Sequence, residues 1–196
     1  MKDIASIAAI MTATLLLWAC GNNPTKQVVS EVPIKTEVLS LKLCEKSSER
    51  AIKKAIAKET DAYVLTQNQK YGIANVVRVV PISLEIAYGG LSWHYVDVAL
   101  NQDNQIVQIS IAASYESIDR AKEQFDAACP VFTQKYGKGN FYKDELKAFW
   151  TDNINGIELS YEESSSISGD DRCFCTLRYL NKDLYEALEK ANTPDV

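Results

Sequence analysis

The chain has 196 residues, 46% of them hydrophobic and 24% charged, with 21 Lys and Arg against 26 Asp and Glu for a formal charge of −5. That mild acidity, without a Lys/Arg cluster, excludes nucleic acid as a partner and any electrostatic grip on anionic headgroups. A single histidine, His94, leaves little room for imidazole chemistry.

Residues 4–17 form an apolar run too short to span a bilayer comfortably, preceded by Lys2. The run ends in Leu17-Trp18-Ala19-Cys20-Gly21, which resembles a bacterial lipobox. The resemblance implies removal of residues 1–19 as a signal peptide. It also implies a diacylglyceryl group on Cys20 and an N-acyl chain such as palmitate on its amine, which together hold firmly to a membrane. No other cofactor is implied. Gly21 is not the aspartate that retains lipoproteins in the inner membrane of enteric bacteria, so the expected address is the outer membrane, facing the periplasm or the surface. Residues 20–36 are polar and carry two prolines, and read as a flexible tether. Residues 37–196 then form a single α+β domain.

Residues 38–43 suit a short strand. Ser47 and Ser48 offer caps to a helix over 47–59, with Ala51, Ile52, Ala55 and Ile56 on one side and Lys53, Lys54 and Lys58 on the other. Residues 60–72 are mixed and polar and read as a loop. A meander follows. Residues 73–86 are rich in Val and Ile, with Pro81 marking an edge or bulge because it cannot donate to a ladder. Gly89-Gly90 is a turn. Residues 93–100 alternate, with His94, Val96, Val98 and Leu100 on one face and Trp93, Tyr95 and Asp97 on the other. A hairpin turn at 101–104 leads to a return strand over 106–112.

A second helix begins near Ser114 or Ser117 and carries a stripe of Ile118, Ala121, Phe125, Ala128, Cys129, Phe132 and Tyr136. Pro130 predicts a kink or break near 126–129, and Gly137 predicts the helix end. Strands at 146–151, 156–162 and 172–180 form a second meander, the last two joined by a serine-rich acidic loop, and a short helix over 183–191 closes the chain. The expected fold is an antiparallel sheet of about six strands, built from two helix–three-strand units (44–113 and 114–181) with the helices packed on one face.

That order, with Trp93-x-x-x-Asp97-Val98, the turn at Asp103 leading to Ile109, Phe125 through Lys135-Tyr136-Gly137, Trp150 and Ile157-Glu-Leu-Ser-Tyr161, resembles the tandem fold of the β-lactamase inhibitor protein family. At half the length it is similar to the small lipoproteins of the outer-membrane-barrel assembly machinery. The resemblance spans about residues 44–181 and implies a binding module whose partner is another envelope protein. Members bind through surfaces that vary, so no functional residue carries over.

The chemistry in the sequence is thin. No HExxH, no P-loop and no Gly-x-Ser-x-Gly is present, and Cys173-Phe-Cys175 is neither CxxC nor half of a zinc ribbon. Neither a catalytic nor a metal site is therefore expected. In an exported chain Cys44, Cys129, Cys173 and Cys175 are candidates for two disulfides, with free buried thiols as the alternative. Cys129 would meet Cys173 or Cys175, and Cys44 the other. Glu162-Glu163 and Asp170-Asp171 read as solvated loop charge. Trp93 and Tyr95, opposite the apolar face, are candidate interface anchors. The expectation is a non-catalytic, lipid-anchored protein-binding module. The alternative is a small periplasmic hydrolase or redox protein using His94 or the Cys173/Cys175 pair.

Overall fold

Successive side chains of a strand point to opposite faces, so the alternation of Val77 and Val79, Val96 and Val98, Ile109 and Ile111, and Ile157 and Leu159 commits one face of a sheet to a dry core. The computed structural model describes residues 28–60, 62–71, 74–83, 85–142, 146–164 and 172–192. The signal segment 1–19, Cys20 and Asp170-Asp171 lie outside them.

The elements are β1 (Glu37–Val38), β2 (Leu41–Lys42), α1 (Glu49–Thr60), β3 (Val64–Tyr71), β4 (Ala74–Pro81), β5 (Ile86–Tyr88), β6 (Leu91–Trp93), β7 (Tyr95–Leu100) and β8 (Ile106–Tyr115). There follow α2 (Ile118–Tyr136), β9 (Asn140–Tyr142), β10 (Lys147–Thr151), β11 (Asn155–Ser164), β12 (Arg172–Asn181) and α3 (Lys182–Asn192). Eight strands make one antiparallel sheet in the order β3-β4-β7-β8-β12-β11-β10-β9, while β1/β2 and β5/β6 are separate two-stranded ribbons. Read inward from either edge, each half is a helix followed by a meander, and the halves meet where β8 pairs with β12.

The α+β class is as expected, but the sheet has eight strands rather than six. The additional ones are the edges. β3 falls in the polar stretch read as a loop, because an edge strand needs little apolar alternation; Thr66 and Asn68 instead donate to the Glu49 carboxylate on α1 at 2.6 and 2.8 Å. β9 has only three residues, too few to show a period. Pro81 ends β4, an interior strand, two positions past the last β4–β7 pair, so its missing N–H costs no ladder bond there.

Helix ends follow the capping residues. Ser48 Oγ accepts from Ala51 N–H, Ser117 Oγ from Arg120 N–H, and Asn181 Oδ1 from Leu184 N–H. Gly137 closes α2 at a φ of 82°, its N–H donating to Thr133 O. The expected break at Pro130 is absent, since α2 runs unbroken from Ile118 to Tyr136. Ala128 and Phe132 are buried on either side of Pro130, and the proline itself is exposed, so packing holds both halves while the freed Asp126 carbonyl has access to water.

The helices do not share one face. Ile52 and Ile56 of α1 and Ala121, Ala128 and Phe132 of α2 join the main core. Leu184 and Leu188 of α3 pack with Ala74, Val76, Ala99 and Val107, which point the other way from their strands.

Part of the stretch expected to be a flexible tether, residues 28–34, is instead held to the domain. Val28 N–H donates to Asn140 Oδ1 and Asn140 Nδ2 returns a bond to Val28 O, both at 2.9 Å. Ser30 N–H donates to Thr151 O at 2.7 Å, and Ile34 N–H to Asp152 Oδ2 at 2.8 Å. Residues 28–34 are thus strapped along the β9/β10 edge.

Gly139 lies against the Trp150 indole, where an added Cβ would stand 2.8 Å from Cε2. Gly139→Ala is expected to lose about 1–3 kcal/mol in urea unfolding by overpacking. Gly156→Ala, whose Cβ would meet Leu180 at 3.5 Å, should change stability by less than about 0.5 kcal/mol.

Candidate functional site

The sheet face opposite the main core carries the polar chemistry. Cross-strand register aligns Arg78, Asp97, Ser110, Arg178 and Glu158 in one row over β4, β7, β8, β12 and β11. Arg78 Nε and Nη2 donate to the two Asp97 oxygens, each at 2.8 Å, a bidentate pair that fixes both planes. The same guanidinium lies 4.4 Å from the centroid of the Tyr95 ring. Burial, with the Asp97 charge second, pushes the Tyr95 phenol up to about 12.

Farther along the row Arg178 Nη1 donates to Glu158 Oε1, and Glu158 is fully buried. Burial works against the Arg178 charge, yet the carboxylates of Glu158 and Glu162 outweigh it and hold the guanidinium above its ordinary range. Glu158 Oε2 is buried without a hydrogen-bond partner. Tyr185 of α3 sits over this pair, and burial raises both its phenol and the Glu189 carboxyl beside it. α3 therefore closes one end of the face, while Arg78, Asp97 and Tyr95 stay partly open.

Of the two aromatic anchors expected here, only Tyr95 is on this face. Trp93 is fully buried in the main core, with its indole N–H donating to Tyr88 O at 3.0 Å. The alternation across residues 93–100 misplaced it because the chain bends at His94, between β6 and β7. Near it a small polar island lies within the core: the Tyr88 and Tyr179 hydroxyls are 2.8 Å apart, and burial pushes Tyr88 up to about 12 and Tyr179 further still.

His94 is held by the sheet end. Its N–H donates to Ala112 O at 2.8 Å, its Nδ1 accepts from Ser114 N–H at 3.0 Å, and its ring lies 5.6 Å from that of Tyr115. Burial keeps the imidazole below its ordinary value.

The four cysteines of the described chain are free thiols. Cys44 N–H donates to Ile106 O at the start of β8, whereas Cys175 pairs with Ala113 near its end. Seven residues of strand separate the two levels by roughly 23 Å, far beyond the 4.4–6.8 Å between bridged Cα atoms. The two-bridge arrangement is excluded, because Cys44 reaches neither Cys173 nor Cys175. Cys129 does approach Cys175: the ring of Phe125, one turn before it on α2, lies 5.0 Å from that of Tyr161, which pairs with Cys175, and the charge of Cys129 acts on Cys175. Burial pushes the Cys129 thiol up to about 12, and burial followed by the charge of Cys129 raises Cys175 as well.

Among the described residues no group of His, Cys, Asp and Glu is placed to hold a metal ion, and no helix is long and apolar enough to cross a membrane. Comparison with family models, with curated proteins and with solved structures gives no match for this chain.

Arg178→Met leaves the Glu158 charge buried and unpaired and is expected to cost about 3–5 kcal/mol in denaturant unfolding, most of it recovered in Arg178→Met/Glu158→Leu. For His94, a lowered folded-state value means that the folded chain binds fewer protons than the unfolded one. Its contribution is present above about 6.5 and is lost as the pH falls through the folded value. His94→Asn, which keeps an acceptor for Ser114 N–H but does not titrate, should flatten the urea midpoint between pH values of about 7 and about 5.

Proposed function

We propose that this chain is a lipid-anchored cell-envelope protein, with Cys20 as its acylated residue, that binds an envelope protein through the open part of the polar sheet face and does no covalent chemistry of its own. The observation that carries the binding half is Tyr95, partly exposed and backed by an Arg78 guanidinium that Asp97 fixes in place. Tyrosine and arginine held rigid before contact lose little side-chain entropy on binding, which is why they anchor interfaces. Trp93 has no part in this face.

The rival thiol or imidazole chemistry finds little support. Burial holds the Cys175 thiol well above its ordinary range, so it stays protonated near neutral pH and is a poor nucleophile. The imidazole of His94 already spends Nδ1 on a backbone N–H.

The anchor is supported by the Leu17-Trp18-Ala19-Cys20 motif at the end of an apolar leader. Tyr95→Ala in the full-length chain, crosslinked in its host and recovered by affinity tag, is expected to lose its main crosslinked envelope protein by at least about tenfold. Recovery equal to that of the unsubstituted chain overturns the assignment of this face. Metabolic labelling with a fatty-acid analogue, present in the native chain and lost in Cys20→Ala, checks the anchor separately.

A further inference from the structure

Both edges of the sheet expose apolar side chains. At the β3 edge these are Tyr63, Leu65 and Ile82; at the β9 edge they are Val28, Val29, Val32, Phe141, Tyr142 and Ile154. Edges are where sheets invite contact, and solvent exposure alone does not say with what. The chain leading back to Cys20 separates the two.

The β9-edge residues form one rim because the strap binds them together. Val28 is fastened to Asn140, beside Phe141 and Tyr142 on β9. Farther along, Asp152 accepts from Ile34 N–H at 2.8 Å and from Ile154 N–H at 2.7 Å, joining the strap to the β10–β11 turn. Ile154 is 58% and Phe141 50% exposed, at the end of the molecule where the described chain begins. Only residues 21–27 lie between Cys20 and Val28. Eight Cα–Cα steps span at most roughly 28 Å, even fully extended. The β3 edge lies seven inter-strand spacings from β9, roughly 34 Å along the sheet. A chain moored at Cys20 can therefore lay the β9 rim on the bilayer but cannot hold Val28 far enough away to turn the β3 edge onto it.

We infer that the rim of Val28, Val29, Val32, Phe141, Tyr142 and Ile154 is a lipid-contacting surface, resting in the headgroup region of the membrane to which Cys20 is attached. This rests on the lipid-anchor reading above. Aromatic residues and short aliphatics suit that layer: the rings settle at the boundary of headgroups and acyl chains, and the shallow rim removes apolar surface from water without inserting a segment. The rim then orients the domain with β9 toward the membrane and β3 away from it, and the row running from Glu158 to Arg78 points outward along the sheet.

The test uses the full chain, expressed with its leader, purified from membranes and reconstituted in phosphatidylethanolamine/phosphatidylglycerol vesicles containing brominated phosphatidylcholine. Tyr142→Trp and Ile154→Trp report the rim, Ile82→Trp reports the far edge, and the unsubstituted protein supplies the signal of its own tryptophans for subtraction. The expected result is about twofold quenching at positions 142 and 154 and none at 82. Tryptophans at 142 and 154 left unquenched in a protein that floats with the vesicles overturn the lipid contact while sparing the anchor, and are the outcome if another protein covers the rim. Equal quenching at 82 overturns the orientation. Intact mass without acyl chains on Cys20 overturns the anchor itself, and the inferred contact with it.

Discussion

The structure depends on one antiparallel pairing, that of β8 with β12. It joins residues 58 to 72 positions apart, from Cys173↔Tyr115 to Leu180↔Gln108. Each half alone is a helix over a short meander with a free edge, too small to close a core around Trp93 or Trp150. Joined at this seam, the two sets of apolar side chains become one cluster running from Ile52 on α1 to Trp150 on β10. The seam is dry on both sides, since every residue from Ile106 to Ala113 of β8 is buried. Nothing so central can be made by local contacts, so the order of the halves in sequence matters less than their meeting.

The two faces of that sheet divide the protein's chemistry. The α1/α2 face holds the apolar bulk, the paired hydroxyls of Tyr88 and Tyr179 and the buried thiols of Cys173 and Cys175. The other face holds the ions. There, opposite charges meet across neighbouring strands, Arg78 with Asp97 and Arg178 with Glu158, the second pair leaving one Glu158 oxygen without a hydrogen bond. α3 covers only one end, through Leu184, Leu188 and Tyr185. Under the proposed anchoring at Cys20, a sheet with one sealed face and one partly open polar face would hold a rigid surface outward while its strapped edge faces the membrane. The strap of residues 28–34 makes that edge the fixed one, because Asp152 ties it to the β10–β11 turn; the three backbone N–H donors to its carboxylate, with Lys182 nearby, outweigh burial and keep Asp152 below its ordinary range.

Much of the fold was legible locally. Ser48 and Ser117 as caps, Gly137 as a helix end, the turn in which Asn101 Oδ1 accepts from Gln105 N–H, and the alternation of β7 and β8 all follow from rules acting within a few residues. The failures have physical causes. β3 reads as a loop because its polar Thr66 and Asn68 side chains are satisfied by Glu49 at the start of the preceding helix, which the alternation of the strand itself does not reveal. Trp93 was assigned to the open face because a bend at His94 shifts the phase of the alternation. Pro130 predicts a kink or break, yet α2 continues through it, with buried neighbours on both sides holding the helix against the sheet. The row of Arg78, Asp97, Arg178 and Glu158 left only a weak trace: single charges in otherwise apolar strands, a signal that something pairs them without saying what.

By itself the sequence determined the α+β class, the lack of familiar catalytic and metal motifs in its residues, and the main apolar faces, because each is written in short-range spacing or composition. Only the tertiary structure decided that Cys44 stands a strand's length from Cys175, that α3 covers the opposite face from α1 and α2, and that residues 28–34 lie along the β9/β10 edge. These depend on strand order and register, which arise from pairing between distant segments and leave no periodic mark on either one.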